Sequence, residues 1–112
     1  MAAVTTQSVV NGALTTPTPI TPAASDTIAR SQFGPTGVIG RVITTGTATT
    51  LTISDPTKTD LGNTGTPASQ TAPATGSRMF FVPLIAIDPA SDNATLNWSG
   101  ALTGVTYELY RV

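Results

Sequence analysis

"NATLNWSGALTGVTYELYRV", residues 93–112, decides the fold class, because two runs of strict alternation are separated by a short glycine-bounded turn. In the first run Leu96 and Trp98 share one face. In the second, Val105, Tyr107 and Leu109 alternate against Thr106, Glu108 and Tyr110. A period of two places one set on a core and the other toward water. Working outward, "TTLTIS" (49–54) repeats the pattern with Leu51 and Ile53 on one face, and "VIGRVITT" (38–45) is a β-branched run ending at Gly46. "GPTG" (34–37) and "DPASD" (88–92) are turns, and "DTIARSQF" (26–33) alternates as a further strand. "RMFFVPLIAI" (78–87) is apolar on both faces and is expected to be the central buried strand, with Pro83 at a bulge or an unpaired point of the ladder. Short strands at this spacing, with no helical period anywhere, predict an all-β domain: an antiparallel β-sandwich, jelly-roll-like, over residues 26–112. Its expected core is Leu51, Ile53, Phe81, Ile85, Leu96, Trp98, Tyr107 and Leu109.

Composition narrows the function more than it names it. A chain of 112 residues has room for one modest core. Charged residues make up 10% of it, well below the roughly 25% of ordinary soluble domains, and Thr fills about one position in five. The surface is therefore expected to be neutral hydroxyl and amide. Five basic and six acidic residues, scattered singly, offer no stripe for phosphates, so neither nucleic acid nor an anionic membrane is an expected partner. The N-terminus lacks the charged and apolar regions of an export signal, which predicts folding in a cytoplasm.

The chain holds neither His nor Cys, so Ser-His and Cys-His nucleophile systems have no base, and thiolate metal sites and disulfides have no ligands. Asp55 with Asp60 and Asp88 with Asp92 could be read as paired carboxylates, or "DPASDN" as a calcium loop, but each lies in a proline turn where Asp normally accepts from its own backbone. Gly34, Gly37 and Gly40 lack the Lys-Ser/Thr pair and following helix of a phosphate loop. The expectation is a protein that is not an enzyme, without a cofactor, metal or small-molecule substrate. Trp98 and Tyr107 are expected in the core, leaving Tyr110 as the surface ring.

Residues 1–25 carry no charged side chain, and "LTTPTPITPAAS" (14–25) leans toward polyproline II through Pro17, Pro19 and Pro22. Only "AVTTQSVV" (3–10) hints at a strand. Ordering 25 such residues costs on the order of 25 to 50 kcal/mol of backbone entropy, which burial on the scale of a protein interface would offset. Residues 1–25 are accordingly expected to be an extended arm outside the core, with Val4, Val9, Val10, Leu14, Pro17, Pro19, Ile20 and Pro22 as contacts. Leu61, in the long connection 55–76, and Tyr110 are expected to join them.

"DTIARSQFG", "SDPTKTDLGNTGTP", "IDPASDNATLNWS" and the ending "GVTYELYRV" together give residues 26–112 a texture that resembles the head decoration, or capsid cement, proteins of tailed bacteriophages infecting actinobacteria. The resemblance implies a non-enzymatic virion protein on the capsid exterior that fastens neighbouring major capsid proteins, with copies of itself, in a trimer, as further partners. A carbohydrate-binding or receptor-adhesion module of a phage head or tail fibre, using Tyr110 and the 55–76 connection, is the alternative.

Overall fold

The alternating runs become strands of two sheets in the computed structural model, which describes residues 2–56, 61, 67 and 69–112. The strands are β1 (Ala2–Val4), β2 (Ser25–Ala29), β3 (Gly37–Thr45), β4 (Thr49–Ile53), β5 (Ser69–Ala72), β6 (Thr75–Pro83), β7 (Asn93–Ser99) and β8 (Val105–Arg111). Single 3-10 turns at Arg30–Gln32 and Leu84–Ala86 follow β2 and β6. The larger sheet has the order β1-β2-β7-β4-β5 and the smaller β6-β3-β8. Every pairing is antiparallel except β1 with β2. The protein is thus an all-β domain of two sheets. Residues 57–60 and 62–66, and with them Asp60, lie outside the described residues.

The core forms where the inward rows of the two sheets meet. Ile28, Leu51, Ala94, Leu96 and Trp98 come from the larger sheet, and Val38, Val42, Phe80, Val82, Tyr107 and Leu109 from the smaller. Trp98 sits at the centre. Its ring meets Phe80 edge-on at 6.1 Å and 80°, and Tyr107 at 4.9 Å with a tilt of 39°. Phe80 can lie there because its partner in the ladder is Gly40, where any Cβ would overlap the phenyl ring.

That glycine also explains the main correction to the expected core. Phe81 and Ile85 are not buried: they are 44% and 66% exposed, while Phe80 and Val82 fill the interior. A run that is apolar on both faces has no internal signal for which row goes inward, and the two readings differ by one residue. The room left at Gly40 decides for Phe80. Nor is this strand central. β6 pairs only with β3 and stands at the edge of the smaller sheet, with β3 in the middle. Pro83 closes it, and the 3-10 turn beyond buries Ala86 while exposing Leu84 and Ile85.

Two further differences follow from the layering. β7 and β8 do not pair with each other; the turn at Gly100–Gly104 carries the chain from the larger sheet to the smaller, so both strands keep their apolar faces inward while facing one another. The core, expected to begin at Asp26, also takes in Val4 from the N-terminal segment, 9% exposed on β1.

The assignment of inner and outer rows is testable by melting. Phe80→Ala is expected to lower stability by about 3 to 5 kcal/mol, whereas Phe81→Ala should cost less than about 1 kcal/mol, as surface changes usually do. The reverse ranking would mean that β6 presents the opposite face to the core.

Candidate interaction surfaces

Two polar residues buried between the sheets hold the N-terminal half of the domain in place. Asp26 and Tyr107 are both fully buried, and the Tyr107 hydroxyl donates to Asp26 Oδ2 at 2.5 Å, joining β8 of one sheet to β2 of the other. The same carboxylate oxygen accepts from the Ala23 backbone N–H at 3.3 Å, while Oδ1 has no partner among the described residues. Burial, followed by the hydrogen bond and negative charge of Asp26, pushes the Tyr107 hydroxyl well above the ordinary tyrosine range. On the outer face of β8, Glu108 was expected to be solvated but is 3% exposed. Arg41 Nε and Nη2 donate to its two oxygens at 3.2 and 3.0 Å, and the Tyr110 hydroxyl donates to Oε1 at 3.0 Å. A paired, bidentate carboxylate tolerates such covering.

The N-terminal segment runs along the outer edge of β8. Gln7 N–H donates to Leu109 C=O at 2.9 Å and Arg111 N–H to Gln7 C=O at 2.8 Å, while Ile20 and Tyr107 exchange two backbone bonds of 2.7 and 3.0 Å. Between these anchors residues 8–19 form a loop closed by one side chain. Gln7 Nε2 donates to Thr16 C=O and Gln7 Oε1 accepts from Thr18 N–H, each at 2.8 Å. On this loop Val9, Val10 and Leu14 are 68%, 55% and 103% exposed.

The residues predicted as contacts therefore divide. Val9, Val10, Leu14, Pro17 and Pro19 are exposed together on one loop. Val4 and Pro22 are buried, because β1 joins the larger sheet and the chain at Pro22 passes beneath the surface on its way into β2. Ile20 is half-buried in its pairing with Tyr107, and Tyr110 is half-buried and tied to Glu108. Leu61 is exposed, apart from the loop in sequence and flanked by residues outside the described set. The aspartates of "DPASD" behave as turn residues: Asp88 Oδ1 accepts from Ala90 N–H at 2.9 Å, and Asp92, at φ 61°, pairs with Arg30 at 2.5 Å.

A second surface escaped the sequence reading. Met79 (64% exposed) and Phe81 stand beside half-buried Ile39 on the outer face of the smaller sheet, and together with Phe80 they line a shallow hollow of about 350 Å³. Leu84 and Ile85 follow in the same stretch of chain. On the inner side of the same strand a groove of about 170 Å³, lined by Val42, Leu51, Ala72, Phe80 and Trp98, opens between the sheets. The signal for this surface was the double apolar row itself, since only one row of a strand in a two-sheet sandwich faces the other sheet. No protein-family model, characterised protein or solved structure matches the chain.

The buried Tyr107 hydroxyl gives a pH test. Tyrosine in an unfolded chain ionises near about pH 10, so a hydroxyl held neutral in the fold contributes fully below that pH, and its contribution is lost as the pH rises through and beyond it. Alkaline titration should show the tyrosinate band of Tyr107 appearing only together with unfolding, and Tyr107→Phe should remove that step while costing about 1 to 3 kcal/mol at neutral pH. Ionisation of both tyrosines in a still-folded protein would contradict the buried bond.

Proposed function

We propose that this protein is a non-enzymatic structural component of a bacteriophage virion, made in the host cytoplasm, that decorates the capsid exterior and binds the major capsid protein. The observation that carries the reading is the loop 8–19, an uncharged segment that presents Val9, Val10 and Leu14 to solvent while hydrogen bonds pin both its ends. Apolar side chains held out in this way lose little further freedom on docking, so more of their burial appears as affinity. Residues 1–25 then act as an arm whose base is fastened to β8 and whose tip makes the contact. The passage of the chain between sheets at every connection from β2 to β8 except β4 to β5 is read as jelly-roll-like wrapping.

The outward face of the larger sheet suits a neutral lattice. Ser25, Asn97, Thr52 and Ser69 form one row across four strands, and half-buried Thr95 lies in the next. Individually such hydroxyl and amide groups contribute about 1 kcal/mol per hydrogen bond, but on a capsid they repeat at every copy. Three of the four motifs that carry the family resemblance fall on β2 and its 3-10 turn, on the Asp88 turn with β7, and on β8, while the fourth, residues 54–67, lies mostly outside the described residues. Carbohydrate binding draws less support, because Trp98 and Tyr107 face the core and the Tyr110 hydroxyl is engaged by Glu108.

Capsids of the parent phage, stripped of this protein, provide the test. Wild-type chain is expected to co-sediment with them and raise their resistance to heat, and Val9→Asp/Val10→Asp/Leu14→Asp should lower occupancy at least tenfold, about 1.4 kcal/mol or more. Absence of wild-type binding would end the proposal.

A further inference from the structure

The smaller sheet has two edges, and the chain treats them differently. Gly37 and Val112 exchange both backbone bonds, at 3.1 and 3.2 Å, which fixes the phase of the whole antiparallel ladder. Ile39, Arg41 and Ile43 then bond toward β8, and Val38, Gly40, Val42 and Thr44 toward β6. On β8 the outward backbone groups are consequently those of Tyr107, Leu109 and Arg111, which are the ones met by Gln7 and Ile20. On β6 they are those of Ser77, Met79 and Phe81. Among the described residues no backbone group meets these three; only Ser77 C=O is used, by the guanidinium of Arg78 at 2.9 Å. An open strand edge beside an exposed apolar row is a surface shaped for another strand.

We propose that copies of this chain associate head to tail, the loop 8–19 of one copy lying along the open edge and exposed face of β6 in the next. The loop and β6 stand at opposite edges of the same three-stranded sheet, so each copy offers one of each. Val9, Val10 and Leu14 would then cover Met79, Phe81 and Ile85, which brings together the large apolar groups exposed at both edges. Charge favours this occupant over a second β6. A second β6 would bring its own Arg78 to the edge, and registers that set the two Arg78 side chains opposite one another are disfavoured by like-charge repulsion, whereas residues 1–25 bring no charged side chain. Such a contact is heterologous and builds a closed ring or an open chain of copies. It rests on the loop being an interface, as proposed above, but it needs no capsid: the same three side chains cannot be covered by a neighbouring copy and by the capsid at once, so self-association is the state away from the capsid and docking exchanges one contact for the other.

Sedimentation equilibrium of the full chain without capsids tests it. Wild-type protein is expected to self-associate, and both the loop variant Val10→Asp/Leu14→Asp and the strand variant Met79→Lys/Phe81→Lys to be monomeric, at least tenfold weaker in association. Mixed in equal amounts, the two variants should form a one-to-one dimer that grows no further, because one intact loop and one intact edge remain between them. A monomeric wild type, self-association of the loop variant, or a mixture that stays monomeric would overturn the proposal. Circular dichroism checks that each variant is folded, and Phe81→Lys alone replaces the double change if that protein unfolds. A wild type that associates but ignores capsids would sink the capsid reading and leave this one standing.

Discussion

The hydrogen bond from Tyr107 to Asp26 is the interaction on which the arrangement of the molecule turns. Two apolar sheet faces can slide over one another at little cost, since dispersion and hydrophobic burial are non-directional. A buried carboxylate cannot slide away from its donor, because an unpaired charge between the sheets costs several kcal/mol. The bond therefore fixes where β8 lies against β2. Tyr107 does this while its backbone pairs with Ile20, and Asp26 while it accepts from Ala23, so the same two residues also set the path by which the N-terminal segment enters the domain.

Much of the sandwich was legible because alternation is a direct statement about a half-buried strand. β3, β4, β7 and β8 fall where the runs "VIGRVITT", "TTLTIS", "NATLNWS" and "VTYELYRV" place them, and Leu51, Leu96, Trp98, Tyr107 and Leu109 are in the core as read. What alternation does not contain is the identity of the neighbour. "RMFFVPLIAI" has two apolar rows, and the choice between Phe80 and Phe81 was made by Gly40, a residue on another strand. The same ignorance of partners hid the crossing of β7 to β8 between sheets and the covering of Glu108 by Arg41 and Tyr110.

The surfaces were legible to different degrees for the same reason. Val9, Val10 and Leu14 could be picked out because nothing around them in the sequence could bury them. Val4, equally isolated on paper, was claimed by a parallel pairing with Ile28, twenty-four residues on, that no local pattern announces. Phe81 and Ile85 belong to the expected core, and Met79 to the strand expected to be buried; the inward turn of Phe80 opposite Gly40 sends Met79 and Phe81 to the outer row, and the 3-10 turn after Pro83 exposes Ile85.

The amide of Gln7 closes the loop 8–19 at its base, through Thr16 and Thr18, before the chain reaches its second anchor at Ile20. Everything beyond that closure is topologically separate from the sandwich. Because the entropy of closing a loop grows only logarithmically with its length, foreign peptide inserted at Gly12 would leave both anchors and the buried bond between the sheets untouched. The segment is thus the part of the chain whose length and sequence can change while the two sheets and the bond between them stay as they are.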